Sequence, residues 1–229
     1  MGRIYSNSYF HYTKEMEYLI GILEKGFRGS YCREDFKNTT QGIFSLYIPM
    51  VSFCDIPLSK VSYVTYGKYG IGMSSSWGND KALTPVCYFP NNSNSLLTKY
   101  ISNIANDYFT KAHQGSNKCP SILAYSKPRK KYKKDGHRSD NYIERECRKA
   151  YSEFFVDLEK PNKKHPTMLL TFVTSNVDFI IVPNENERKN LIGYIMKLKT
   201  IGGNKIINNQ DRLTLISKIS TLEEIAKNY

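Results

Sequence analysis

Long apolar runs are missing from this sequence. No segment approaches the ~20 apolar residues that a bilayer-crossing helix needs, and the opening residues lack the basic-then-apolar order of a secretory leader. Neither a membrane-spanning nor an exported protein is expected. Cysteine is sparse: Cys32, Cys54, Cys87, Cys119 and Cys147 are scattered, odd in number and never spaced C-x-x-C. That argues against a disulfide framework and against a zinc site, and it fits the cytoplasm of a cell. Internal repeats are absent and alanine is scarce. Acidic residues are outnumbered, 21 Asp and Glu against 33 Lys and Arg, for a net charge of +12. A polyanionic partner such as nucleic acid is therefore physically reasonable. The joint excess of Lys, Asn, Ile and Tyr is also the skew that an AT-rich genome imposes. That account needs no partner and takes precedence.

What the chain has is aromatic and β-forming character. Its 229 residues include 18 Tyr and 11 Phe, with 40% hydrophobic and 24% charged residues, the composition of a folded domain rather than a disordered one. One compact α+β domain spanning 1–229 is expected, a mixed β-sheet core with flanking helices and a basic, flexible insertion over 113–141. Its organising stretch is 49–89. Val51-Ser52-Phe53-Cys54 reads as a short buried strand punctuated by Asp55 and Pro57. Gly67, Gly70 and Gly72 then let a ligand or another strand approach closely.

Along the chain, Tyr9-Phe10-His11-Tyr12 ends a strand. Thr13 is placed to cap a helix carrying Met16, Leu19, Ile20 and Leu23 on one face, with Glu15 and Glu17 in its first turn and Lys25-Gly26 at its close. Residues 28–48 show little periodicity and read as a loop. Ser95 opens a second helix with the stripe Leu97, Tyr100, Ile101, Ile104 and Tyr108. Met168 to Val173 and Val177 to Val182 read as strands joined by Thr174-Ser175-Asn176. Asn184 with Glu187 starts a helix that Gly202-Gly203 stops, and Thr221-Leu222-Glu223-Glu224 is a capping box for a terminal helix.

Three places carry candidate chemistry. His11 stands at a strand end just before a helix N-terminus, where free N–H groups converge on anionic ligands; an ordinary half-buried histidine is the plainer alternative. The run Arg129, Lys130, Lys131, Tyr132, Lys133, Lys134 interleaves cations with an aromatic ring, as a nucleic-acid contact does, or is a solvated loop. In Glu144-Arg145-Glu146-Cys147-Arg148, strand alternation puts Glu144, Glu146 and Arg148 on one face. Such an arrangement suits acid–base or ribose-binding chemistry, or a surface ion-pair ladder.

The order Phe10-His11-Tyr12-Thr13, Ile22 to Phe27, Val51 to Ser59, Tyr66-Gly67-Lys68-Tyr69-Gly70-Ile71-Gly72, Trp77-Gly78 and Pro85-Val86 resembles the AbiGi-type abortive-infection family of bacterial phage defence. Glu144 to Arg148 resembles that family's E-R-E-W-R block, with Cys147 in place of its tryptophan; Ser62-Tyr63 fill a region where it commonly has histidine. The resemblance implies phage defence and an antitoxin role beside a cognate toxin or phage protein. More distantly, His11-Tyr12-Thr13 before a helix ending in Gly26, with a late glutamate, resembles the H-Y-E layout of ADP-ribosyltransferases. That likeness implies NAD as cofactor, an ADP-ribosyltransferase-like fold and an effector acting on protein or nucleic acid. It assigns catalytic parts to Glu146, Glu144 and His11, and cofactor binding to His11, Tyr12, Thr13, Tyr66, Tyr69 and Arg148. His11 and Glu146 are then expected to face one cleft.

Overall fold

A computed structural model describes residues 7–38, 42–58, 67–112, 119–132, 138–151, 168–203 and 205–228. The chain opens with β1 (Ser8–Thr13), α1 (Met16–Lys25), β2 (Phe27–Arg28), β3 (Ser30–Asn38), β4 (Gly42–Cys54) and β5 (Tyr69–Ser74). It continues through α2 (Ser75–Asp80), β6 (Thr84–Pro85), β7 (Cys87–Phe89), α3 (Leu96–Ala112), α4 (Ser121–Ala124) and β8 (Ser126–Pro128). Next come β9 (Lys130–Tyr132), β10 (Arg138–Asp140), a 3-10 turn (Asn141–Glu144), β11 (Glu146–Ala150) and β12 (Leu169–Leu170). The last part holds β13 (Val177–Val182), α5 (Glu185–Ile195), β14 (Thr200–Ile201), β15 (Lys205–Ile206), α6 (Asn209–Ser217), β16 (Ile219–Thr221) and α7 (Leu222–Asn228). Helices alternate with a mixed sheet, so the α+β class holds.

Two compact units share this chain. The first comprises Met1–Arg28, Ser52–Leu83 and Leu169–Tyr229; the second, Gly29–Val51 and Thr84–Met168. Strand β4 passes from the second into the first between Val51 and Ser52.

In the first unit the strand order is β16-β13-β5-β1, with the end of β4 beside β1 at Phe10 opposite Cys54. Antiparallel β1 and β5 pair Phe10 with Gly72 and Tyr12 with Gly70, while β13 and β16 run parallel. The glycines are where the sequence required close approach, and a strand makes that approach. A Cβ on Gly70 would stand 2.8 Å from the Tyr12 ring, one on Gly72 2.7 Å from the Phe10 ring, and one on Gly67 1.9 Å from the Thr13 carbonyl oxygen. The rings of β1 thus fill the space that the missing side chains of β5 leave. Phe10, Tyr12, Cys54, Ile56, Ile181 and Ile225 form the core on that side. Elsewhere in the unit Phe27 meets Phe53, Trp77 and Phe172 at centroid distances of 5.0, 5.6 and 5.4 Å.

In the second unit β3 and β4 form a long antiparallel hairpin, from Ser30 opposite Met50 to Asn38 opposite Gly42. Strand β11 lies beside β4, and β6 beside β11. A core of Phe36, Leu46, Ile48 and Met50 packs on Ile101, Ala105 and Tyr108 of α3 and on Leu123 of α4. Each buried Phe, Leu, Ile or Met side chain among these contributes about 1.5–3 kcal/mol.

Several expectations need correction. Thr13 is the last residue of β1 and does not cap α1; Glu15 is the N-cap residue, and the Thr13 hydroxyl donates to its carbonyl at 3.2 Å. Residues 28–48 hold strands rather than a loop, with Pro49 inside β4. Of the stripe on α3, Ile101 and Tyr108 are buried but Leu97 and Tyr100 face outward. Within 113–141, described residues form α4, β8, β9 and β10; 113–118 and 133–137 lie outside the described residues. The Gly26 close of α1 holds, with φ +79° and its N–H on the Ile22 carbonyl at 2.8 Å. So do the caps at Ser95, Asn184 and Thr221.

Candidate functional site

The feature of the second unit that most demands explanation is a knot of buried charge. Strand β3 turns Cys32, Glu34 and Phe36 to one side by alternation, which places a carboxylate inside, only 6% exposed. Across the unit β11 turns Glu146 and Arg148 inward, 7% and 0% exposed. The Arg148 guanidinium grips Glu146 with two bonds, Nε to Oε1 at 3.0 Å and Nη2 to Oε2 at 2.7 Å. Its Nη2 also lies 3.0 Å from Glu34 Oε1, and its Nη1 donates to the Ala124 carbonyl at 2.8 Å. Lys127 on β8 completes the set, its Nζ 2.8 Å from Glu144 Oε2 and 3.0 Å from Glu146 Oε2. The Tyr88 hydroxyl accepts the Glu146 backbone N–H at 2.9 Å.

Three carboxylates therefore meet two cations where water is scarce. Burial pushes the Glu34 carboxyl up, against the pull of Arg148 and Lys127. Burial pulls the Lys127 ammonium down, but Glu146, Glu34 and Glu144 around it raise it more. Cys32, beside the knot, is held high by burial and by Glu34. Bidentate Arg–carboxylate pairing is directional as well as strong, so the cluster fixes β3, β8 and β11 in one arrangement. A general acid or base needs a group within reach of a substrate proton. Here the carboxylates are bound to the protein's own cations.

Glu144 reaches this cluster by a route that alternation does not describe. Arg145 takes a positive φ of 42° after the 3-10 turn, so Glu144 precedes β11 rather than lying on it. Lys127 then draws it to Glu146. The expectation that Glu144, Glu146 and Arg148 share one strand face is therefore corrected: Glu146 and Arg148 lie on β11, and Glu144 meets Glu146 through Lys127.

The other candidates belong to the first unit. His11 sits mid-β1 opposite Ile71, with Nδ1 donating to the Ser52 carbonyl at 2.8 Å and the ring against Phe27 and Phe53 at 5.4 and 5.6 Å. Burial lowers its pKa, against the opposing effect of the Ser52 hydrogen bond, so the ring is neutral near pH 7. Thr13 and Tyr69 share its face of the sheet, since Thr13 pairs with Tyr69; Tyr12 points to the other. Burial raises the phenols of both Tyr12 and Tyr69. Tyr66 lies outside the described residues.

Among the basic candidates, Arg129 is exposed, 3.4 Å from Asp140 and 5.5 Å from the Tyr142 ring centroid. The Lys130 backbone is clasped by the Asn91 amide, which accepts its N–H at 2.7 Å and donates to its carbonyl at 2.9 Å. Lys131 lies in β9, its side chain outside the described residues, as are Lys133 and Lys134 altogether. Sequence reasoning missed Glu34, Lys127 and Tyr88. Alternating Cys32, Glu34 and Phe36 was the available signal, obscured by a charge at an interior position.

Among the described residues no group of three or more His, Cys, Asp and Glu side chains could hold a metal ion, and no helix is long and apolar enough to cross a membrane. None of the five cysteines is joined in a disulfide.

A family model described as "Putative abortive phage resistance protein AbiGi, antitoxin" matches residues 25–183. That span holds the whole second unit, charge knot included, and leaves out His11 to Thr13. The chain is also 26% identical over 234 residues to a protein of Lactococcus lactis subsp. cremoris named Abortive phage resistance protein AbiGi, covering 80% of this chain and 89% of that one. No solved structure matches.

Proposed function

The chain belongs to the AbiGi family of abortive phage resistance proteins, and from that premise we propose that it serves bacterial anti-phage defence as an antitoxin, restraining a cognate toxin by direct protein contact. The observation that carries this reading is the closed charge knot of Glu34, Lys127, Glu144, Glu146 and Arg148. It lies wholly inside the family-matched span, and its charges are spent on one another. Such a cluster supports a rigid binding scaffold better than a catalytic centre.

The alternative, an ADP-ribosyltransferase-type effector with NAD as donor, calls for a histidine, a stacking aromatic and a glutamate open to the dinucleotide. Glu144 and Glu146 are tied to Lys127 and Arg148, and His11 Nδ1 donates a hydrogen bond to the Ser52 carbonyl. These contacts favour the antitoxin reading.

Deleting this gene from its native host tests the proposal. Growth should stop in the single deletion and return when the toxin gene is deleted with it, and the tagged chain should retain the toxin through purification. Growth arrest caused by the chain alone, with NAD consumed and both effects abolished by Glu146→Gln, would reverse the assignment toward the transferase.

A further inference from the structure

We infer that the second unit carries a binding site for single-stranded nucleic acid, built along both sides of the segment Pro128–Lys130, where β8 bends at Arg129 into β9. This goes beyond the antitoxin reading and does not rest on it.

Both edges of that segment are fixed. On one, the Arg129 N–H donates to the Phe89 carbonyl at 2.8 Å, and Asn91 clasps the Lys130 backbone. On the other, the Asn141 N–H donates to the Arg129 carbonyl at 2.6 Å and its side-chain Nδ2 to the Pro128 carbonyl at 2.7 Å. The first edge borders a cavity of about 660 Å³, within the range that holds small ligands. Phe36, Phe89 and Pro128 give it an apolar floor, and Asn94, Lys99 and Asn103 a polar rim. The second edge leads directly to Tyr142, a residue 56% exposed. The Arg129 guanidinium stands over that ring, and Tyr88 supports it edge-on at 5.4 Å.

An exposed phenol ring held by one aromatic neighbour and paired with a guanidinium is a stacking surface. An apolar slot rimmed by amides suits a second base, and Lys99, Arg129 and Lys130 place positive charge beside both for phosphates. Asp140, 3.4 Å from Arg129, competes with a phosphate for that cation. Single strands are favoured over duplex because stacking and slot insertion both need bases whose faces are free. An acidic protein partner would use the cations but would gain little from the slot.

Fluorescence anisotropy of a labelled ~12-nucleotide oligo(dT) or oligo(U) with the purified chain tests the site, with no toxin present. Binding should appear at about 50 mM salt and weaken as salt rises. The triple substitution Lys99→Gln, Arg129→Gln, Lys130→Gln should flatten the slope of log K against log[salt] by about 2, at roughly 0.7 for each phosphate no longer neutralised. Tyr142→Ala should weaken binding about 5- to 100-fold with the slope unchanged, and Tyr142→Phe should restore it. All four side chains are exposed, so far-UV circular dichroism of the variants should match the unaltered chain. The pair Lys81→Gln, Lys205→Gln, which removes charge from the first unit, should have a smaller effect than the triple substitution. The inference is overturned by absence of binding at low salt or by equal weakening in the Lys81/Lys205 pair. It is also overturned if polyglutamate displaces the oligonucleotide as well as unlabelled strand does while Tyr142→Ala changes nothing, which would mark an acidic-protein surface instead.

Discussion

Replacing Arg148 with methionine removes the centre of the charge knot while roughly keeping its volume. Arg148 is fully buried and makes contacts of 2.7 and 3.0 Å to Glu146, 3.0 Å to Glu34 and 2.8 Å to the Ala124 carbonyl. Without it, Lys127 alone faces three carboxylates. Breaking a buried pair from one side costs about 3–5 kcal/mol, because the remaining charge is left without compensation. Urea titration followed by far-UV circular dichroism should register that loss, whereas Trp77, the chain's single tryptophan, lies in the other unit. Adding Glu34→Gln to Arg148→Met should recover about 1–3 kcal/mol, since it removes an unpaired buried charge. The pH dependence has a definite sign. Glu34 is already raised by burial, and Arg148 pulls it down. Once Arg148 is gone, the folded state holds that proton more tightly than the unfolded state does. The stability deficit of Arg148→Met should therefore shrink as pH falls from 7 toward the unfolded carboxyl value near ~4.3. A variant within ~1 kcal/mol of the parent, or a deficit that grows on acidification, would refute the view that this knot organises the unit.

Gly70→Ala and Gly72→Ala should each lower stability by about 1–3 kcal/mol, because the new methyl meets the Tyr12 or Phe10 ring; Gly21→Ala, inside α1 with nothing within 4 Å, should raise it by about 0.5–1 kcal/mol, all read by denaturant midpoints. His11 has a lowered folded pKa, so its contribution is complete above the unfolded value of about 6.5 and is lost as pH falls below that value and through the lowered folded one; His11→Gln should flatten the melting profile as pH falls below about 7. In the folded chain exposed Cys87 should react with a thiol reagent before buried Cys119, whose thiol burial pushes up to about 12, and all five should titrate after unfolding.

Local signals in the sequence were legible where a side chain acts within a few residues of itself. The Thr221–Glu224 box shows both of its reciprocal bonds, at 3.0 and 2.9 Å, and Asn184 accepts from Glu187 as its spacing implies. The glycines at 70 and 72 announced a close approach, although only the paired strand reveals that Tyr12 and Phe10 supply it. The hairpin of β3 and β4 was illegible because its inward face carries Glu34, a residue that breaks apolar alternation. Its partner Arg148 lies far along the chain, and no periodicity records that pairing. Likewise the left-handed turn at Arg145 hid how Glu144 joins Glu146, since alternation assumes an unbroken strand.

The interleaving of the two units along the chain sets an order on the ribosome. Strand β5 of the first unit is flanked by β1, already made, and by β13, about a hundred residues downstream; β16 follows later still. The first unit cannot close its sheet until residues 177–221 have emerged, and the second has by then been synthesised whole. Pairings of such sequence separation form slowly, after the entropy of closing long loops has been overcome. A chain that stops before residue 177 thus leaves β5 without β13 beside it and the sheet of the first unit incomplete.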